Sequence, residues 1–349
     1  MKVAVLVSGG VDSSVALNLL KKQGHGLTAF YIKIWLEDEL AYLGNCPWQE
    51  DLDYAKKVCD QLNIPLKVVS LQKEYWDNVV DYTIAEIKAG RTPNPDLICN
   101  QYIKFGTFLD KIDSSFDKVA SGHYAQVTEE EGRFKLLRNP DPVKDQTYFL
   151  ARLSQKQLSR VLFPLGAYTK PEIRDLATQF DLPTKDRKDS QGICFLGKLK
   201  FRDFVQHHLG EQEGDIVEVE SGQVVGKHTG FWFYTLGQRQ GLGLAGGPWY
   251  VVAKDTNQNI VYISKNYFSE DKHRDSFAVD NFSWFNGKPE SGDLQVKIRH
   301  GENLYDCQLA LDESGKGQVQ LKERDQGIAP GQFAVFYKNQ ECLGSAVIS

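Results

Sequence analysis

The chain opens on Val3-Ala4-Val5-Leu6-Val7, five apolar residues in succession, three of them β-branched. A run without polar alternation predicts a strand covered on both faces. Residues 15–20 read as the helix that follows, and residues 27–35 and 66–71 as further strands. Residues 50–62 predict a helix on which Leu52, Ala55, Cys59 and Leu62 share a face, so Cys59 is expected in the core. Residues 76–89 read as a helix that stops at Gly90, residues 119–121 as the end of another strand, and residues 171–180 as a helix with Pro171 in its first turn. Short strands alternating with helices predict a doubly wound parallel α/β sheet, with any nucleotide at the C-terminal edge of its strands.

From about Lys198 the pattern changes. A helical piece at residues 201–209 precedes strand-and-turn sequence rich in glycine, valine and aromatics, including Trp249-Tyr250-Val251-Val252. From about Phe277 strict alternation dominates, as in Leu294-Gln295-Val296-Lys297-Ile298-Arg299 and Leu304-Tyr305-Asp306-Cys307-Gln308-Leu309, with Cys307 on the apolar side. The expected architecture is an α/β domain over residues 1–197, a small β-rich central domain over 198–273 and a C-terminal β-barrel over 274–349.

A length of 349 residues with 41% hydrophobic content fits two or three domains with ample cores. No apolar run approaches membrane-spanning length, and Met1-Lys2 leads into the first strand, so a soluble cytoplasmic chain is expected. The net charge of −5 argues against a broadly basic, nucleic-acid-coating surface but leaves room for a local patch. Lys185, Arg187, Lys188, Lys198, Lys200 and Arg202 form the densest basic cluster, diluted by Asp186, Asp189 and Asp203. The cysteines, Cys46, Cys59, Cys99, Cys194, Cys307 and Cys342, contain no C-x-x-C pair. That scatter disfavours a disulfide scaffold or a zinc ribbon and leaves individual reactive thiols open.

Between the first strand and helix stands Ser8-Gly9-Gly10-Val11-Asp12-Ser13. The glycines let backbone N–H groups approach an anion, the helix N-terminus adds partial positive charge, and Ser13 or Ser14 is expected to cap the helix. The loop lacks both the Gly-Lys-Ser/Thr ending of a kinase-type phosphate loop and the G-x-G-x-x-G of a dinucleotide site. It resembles the pyrophosphate loop of the ATP-pyrophosphatase superfamily, whose members split ATP between the α and β phosphates and adenylate a carbonyl oxygen. A bare Asp12 would repel phosphates, so ATP is expected together with Mg²⁺. An ordinary βα turn would show the same glycines. Further on, Pro93 and Pro95 flank Asn94, and two prolines so close predict a stiff loop that presents Asp96 and Cys99.

Taken together, the motifs resemble one family, the tRNA-specific 2-thiouridylases, which place sulfur on the wobble uridine. The match runs in order through Ser8 to Ser14, Gly90 to Asp96 with Cys99-Asn100, Gly122-His123-Tyr124, Lys144-Asp145-Gln146, Asp189 to Phe195, Thr235 to Gly243 and Ala329-Pro330-Gly331-Gln332. The resemblance implies a Rossmann-like ATP-pyrophosphatase domain in which ATP adenylates the uracil 2-oxygen. Cys194 resembles the persulfide carrier, loaded by a sulfur-relay protein, and Cys99 its partner, which frees sulfur by disulfide formation or by attack on the persulfide. Thiolate is the active form, so Lys104 or Lys188 is expected to lower the cysteine pKa. By resemblance, ATP falls to Leu6, Val7, Ser8, Gly9, Gly10, Val11, Asp12, Ser13, Ile32 and Gly122. The target base falls to Asn94, Pro95 and Asp96, with Asp96 a proton shuttle. Further tRNA contacts fall to His123, Lys144, Asp145, Gln146, Arg299, His300 and Gln332. Ile32 stands where the family often has methionine, and His300 where it often has tyrosine. Cys46, Cys99 and Cys194 lack the usual cluster-ligand spacing, so a metal-free persulfide route ranks above an iron–sulfur one. Two other readings stay open: a synthetase of the same superfamily acting on a small metabolite, and a non-catalytic RNA-binding protein.

Overall fold

The computed structural model describes residues 1–34, 48–189, 201–266, 274–289, 293–325 and 327–349. Strand β1 (Lys2–Leu6) runs through a loop into helix α1 (Val11–Lys22), then β2 (Gly26–Lys33), α2 (Trp48–Gln61) and β3 (Leu66–Ser70). Two helices follow, α3 (Gln72–Tyr75) and α4 (Asp81–Lys88), joined by a wide-turned stretch at Trp76–Val80. Next come α5 (Pro95–Ile98), a second wide-turned stretch at Cys99–Thr107 and α6 (Phe108–Lys111). Wide turns strand carbonyl groups, and here the Gln157 amide donates to the Gln101 and Phe105 carbonyls at 2.7 and 2.8 Å.

The chain continues through β4 (Lys118–Ala120), β5 (Gln126–Glu130), β6 (Arg133–Leu137), α7 (Thr147–Leu150), α8 (Gln155–Leu158), β7 (Val161–Leu162) and α9 (Lys170–Gln179). The first sheet is parallel with strand order β3-β2-β1-β4-β7. Its strand order reverses between β1 and β4, which is where such sheets open a crevice for ligands. As expected from the unbroken apolar run, β1 is buried on both faces. Val3, Val5 and Val7 pack with Val15, Leu20, Cys59 and Ile173, while Ala4 and Leu6 pack with Tyr75, Val79 and Phe108. Cys59 is in the core, as its helical face implies.

Helix α10 occupies Phe201–Leu209, the span read from sequence. Beyond it, β8 (Gly214–Glu218), β9 (Val224–His228), β10 (Tyr250–Asp255) and β11 (Ile260–Ser264) form a small sheet of order β10-β11-β8-β9. The last strands are β12 (Ser276–Trp284), β13 (Leu294–Lys297), β14 (Tyr305–Leu311), β15 (Gly317–Leu321), β16 (Phe333–Lys338) and β17 (Glu341–Ile348). They close into a six-stranded antiparallel barrel, β12-β15-β14-β13-β16-β17 and back to β12, around a core that includes Cys307.

One pairing crosses the expected domain division. The β5–β6 hairpin extends the barrel sheet through Glu341 opposite Leu137 and Cys342 opposite Leu136. Val335, Tyr337 and Cys342 share a core with Tyr148, Leu150 and Leu136, so the barrel and the α/β region are packed into each other. No helix among the described residues is long and apolar enough to cross a membrane.

Candidate active site

The C-terminal ends of the central strands lie level, with Leu6 opposite Phe30 and Val5 opposite Ala120. Ser8, Ile32 and Gly122, each two residues beyond Leu6, Phe30 and Ala120, therefore follow at one edge. Gly9 has φ +74°, and a Cβ there would meet the Asp51 carbonyl oxygen at 2.1 Å, so the first turn of α2 closes one side of the loop. A Cβ on Gly122 would lie 2.9 Å from the backbone of Asp12 and Ser13, so β4 closes the other.

The expected serine cap is not present. Gly10 is the N-cap of α1, and no side chain caps that helix. Ser13 and Ser14 lie within its first turn, where their hydroxyls donate back to the Gly10 carbonyl at 3.1 and 2.8 Å; Ser13 Oγ also accepts from the Ser8 N–H at 3.2 Å. A helix start with no side-chain acceptor, beside paired glycines, leaves its first-turn N–H groups to an outside anion.

Charged side chains surround this turn. Asp12 Oδ1 accepts from the Tyr124 hydroxyl at 2.8 Å and from Lys170 Nζ at 2.7 Å. Lys170 also lies 2.8 Å from Asp189 Oδ1, and Asp189 is held by Lys144 at 2.8 Å and Arg174 at 2.5 Å. Burial works to raise the Asp189 carboxyl, but Lys144 and Lys170 outweigh it and bring it down to about 2. Burial and then the charge of Asp12 push the Tyr124 hydroxyl far above its ordinary value, so it remains a donor. Tyr124 is legible in the sequence only as part of the Gly122-His123-Tyr124 motif, and Lys170 and Arg174 are not singled out there. The one local sign was the Thr169–Glu172 capping box, which places Lys170 at the start of α9.

Residues 91–100 differ from the expected loop. Asn94 accepts from the Leu97 N–H at 3.1 Å, and α5 starts at Pro95. Proline costs nothing at the first helical position, where its missing N–H would have no helical partner, so the second proline begins a helix where a loop was expected. Asp96 therefore sits in a first helical turn and Cys99 one turn later. The Asp96 Oδ1 atom is buried without a hydrogen-bond partner among the described residues. Cys99 is buried, and burial pushes its thiol up to about 11. Lys104 pulls the other way but is the lesser effect, and Asp96 adds to the rise. The expected lowering by a cationic neighbour is thus corrected for Cys99, because desolvation outweighs one lysine. Cys194, Cys46 and Lys198 lie outside the described residues.

The proposed RNA contacts fall in three groups. The Pro95 loop is braced from the barrel: Gln332 donates to the Thr92 and Pro93 carbonyls at 3.2 and 3.0 Å, and its carbonyl accepts from Tyr148 at 3.2 Å. His123 packs between Phe105 and Phe163, tilted against the first and edge-on to the second, with Nδ1 2.7 Å from Ser121 Oγ. Burial, then Lys104, holds its ring well below the ordinary range, so it is neutral at pH 7. Arg299 and His300 line a pocket of about 340 Å³ with Val143, Asn303 and Tyr305; Arg299 grips Asp325 through both terminal guanidinium nitrogens, and His300 stacks on Phe149 at 4.7 Å.

Three consecutive residues connect these groups. Val143 lines the pocket, Lys144 reaches Asp189, and Asp145 is wholly buried against Lys297 Nζ at 2.9 Å. Gln146 accepts from the Tyr124 N–H at 3.0 Å, beside Asp12.

Three family models cover the chain: a tRNA methyl transferase HUP domain over residues 1–198, a tRNA methyl transferase PRC-barrel domain over 202–265, and an aminomethyltransferase beta-barrel domain over 274–348. The chain is 45% identical to the tRNA-specific 2-thiouridylase MnmA 1 of Bacteroides thetaiotaomicron, covering all of both chains. It is 45% identical to the tRNA-specific 2-thiouridylase MnmA of Parabacteroides distasonis and 42% identical to that of Porphyromonas gingivalis, covering all of this chain and 99% of each relative.

Proposed function

The chain belongs to the tRNA-specific 2-thiouridylase family, and on that premise we propose that it activates the wobble uridine with ATP at the Gly9–Gly10 loop and replaces the 2-oxygen with sulfur carried on Cys194. Two of the matching family models carry tRNA methyl transfer in their descriptions, and the third carries aminomethyl transfer. An uncapped helix start behind paired glycines suits a polyphosphate, which favours adenylation.

The observation that carries this reading is the packing of His123 on Phe105. Gly122 abuts Asp12 and Ser13, the next residue touches Phe105, and Phe105 lies in the helical run that begins at Cys99. A nucleotide at the loop and a sulfur chemistry at Cys99 would then border the same helix.

The residues from Leu6 to Ser13 would hold the phosphates, with Ile32 and Gly122 bordering the nucleoside. Mg²⁺ bound with ATP would supply charge neutralisation there, and Asp12, one-third exposed and now paired with Lys170, is the carboxylate fitted to meet it. Asn94 and Pro95 would border the target base, and Asp96 Oδ1, without a hydrogen-bond partner among the described residues, would accept a proton from it. The uridine 2-oxygen displaces pyrophosphate from the α-phosphorus. The terminal persulfide sulfur of Cys194 then adds at C2 and AMP leaves. Cys99 attacks the inner Cys194 sulfur, which releases the thiouridine and forms a disulfide that an external thiol reduces. A sulfur-relay protein would reload Cys194. His123, Lys144, Gln146, Arg299, His300 and Gln332 would contact the tRNA. Asp145, having no exposed surface, would serve it through Lys297 and Arg138.

The test is reconstitution with unmodified tRNA, ATP, Mg²⁺ and a persulfide donor, followed by nucleoside analysis. Thiouridine should form with the native chain and not with Cys194→Ser; full activity of that variant removes Cys194 as carrier. Asp12→Asn should lower the rate about a hundredfold while tRNA affinity stays within about twofold. A chain that only bound RNA would have no rate to lose.

A further inference from the structure

Arg187 was read from sequence as part of a basic surface cluster, but its side chain is four-fifths buried and turned onto the phosphate loop. One terminal nitrogen donates to the Gly9 carbonyl at 2.6 Å and the other to Asp51 Oδ1 at 2.7 Å. The guanidinium also lies over the Tyr54 ring at 4.3 Å, and Glu50 stands 3.9 Å away. All four partners have fixed positions: Glu50, Asp51 and Tyr54 belong to α2, whose Asp51 carbonyl already fills the space beside Gly9.

The only cis bond among the described residues precedes Pro248, so the Gly9–Gly10 peptide is trans. In a planar trans peptide the carbonyl and the following N–H point in opposite directions. Holding the Gly9 oxygen against Arg187 therefore turns the Gly10 N–H away from Arg187 and α2. Gly9 is glycine with φ +74°, the residue type whose backbone turns most freely, so without a clamp this peptide could flip and present its oxygen to the anion instead.

We propose that Arg187, held by Asp51, is a positioning residue for ATP, fixing the Gly9–Gly10 peptide so that the Gly10 N–H faces the phosphates. Arg187 touches no phosphate itself in this role. Its charge is already engaged by Asp51, and its task is to keep a carbonyl dipole from opposing the triphosphate. The inference rests on the reading of the loop as an ATP site, and it adds a residue that lies 178 positions from the loop in the chain.

The experiment measures equilibrium binding of Mg-ATP to the full chain, with KM for ATP and for tRNA and a thermal melt of each variant. Arg187→Met should weaken ATP binding and raise KM for ATP about tenfold or more, with KM for tRNA within about twofold. Arg187→Lys should recover part of the loss, since an ammonium can reach the Gly9 carbonyl but cannot hold Asp51 in the same fork. Asp51→Asn, which preserves shape, should fall between native and Arg187→Met. Native-like ATP binding by Arg187→Met overturns the inference. So does a parallel loss of tRNA affinity and melting temperature in all three variants, which would mark Arg187 as a general support of the fold. If the native chain itself binds no ATP, the reading of the loop fails as well.

Discussion

Lys297 Nζ lies 2.9 Å from Asp145 Oδ2, and neither side chain reaches solvent. Lys297 ends β13 of the barrel and Asp145 stands just before α7 of the α/β region, so a buried ion pair joins the two. Asp145 has other donors, with Thr147 Oγ1 at 2.9 Å, the Asn139 N–H at 3.3 Å and Arg138 Nε at 3.5 Å. Breaking a buried pair by removing one partner costs about 3–5 kcal/mol. Asp145→Asn should lie in that range, because it strands a buried ammonium. Lys297→Met should cost clearly less, since Arg138 and Thr147 remain for the carboxylate. Urea unfolding of the two variants checks the order, and equal costs would refute it.

Asp189 is held at about 2 by Lys144 and Lys170 against the opposing effect of burial. Its folded value is thus below the ordinary carboxylate value of about 3.9, so the unfolded chain binds the extra proton as the pH falls. The stability it contributes is present above about pH 4 and is lost as the pH drops through about 2. Asp189→Asn should therefore be less stable than native at pH 5 and should converge with it by about pH 2. A stability difference that stays constant across this window would show that the ion pairs are not responsible.

Cys99 should be inert in the free chain. With its thiol at about 11, roughly one molecule in a thousand carries the thiolate at pH 8, and the sulfur is also buried. Peptide mapping after iodoacetamide treatment should find Cys99 unlabelled under conditions that fully label the unfolded protein. Adding tRNA and ATP should raise its labelling rate if the reaction exposes it. Rapid labelling of the free chain would contradict the burial.

The braced Pro95 turn predicts a separation of effects. Asn94→Ala removes a helix cap and should cost about 1 kcal/mol. Gln332→Ala removes the hydrogen bonds that the barrel makes to the Thr92 and Pro93 carbonyls. It should cost a similar amount of stability and also raise KM for tRNA several-fold, with KM for ATP unchanged. Equal shifts in both KM values would mean that the brace acts on the whole domain.

Much of this protein is legible from local pattern. The apolar run Val3 to Val7 specifies a strand with no solvent face, the spacing of Leu52, Ala55 and Cys59 specifies a buried helical stripe, and the alternation around Cys307 specifies which side of a barrel strand is covered. Each is a property of neighbours within a few residues, where side-chain direction repeats every 2 or 3.6 positions. The paired glycines ahead of α1 belong to the same class, because backbone freedom and a helix start are both local.

Other features depend on partners remote in the chain. The pairing of Leu136 with Cys342 carries no signature in either segment, so the merging of the β5–β6 hairpin with the barrel could not be read in advance. Pro95 begins a helix because Asn94 precedes it and Gln332 supports the turn from the barrel. A cationic neighbour in sequence suggested a low pKa for Cys99, but the thiol is governed by how much water the surrounding packing excludes. Arg187 looked like surface charge until α2 and the Gly9 carbonyl were folded against it. Periodicity records which way a side chain points; what it meets there is set by contacts that form only when the whole chain has closed.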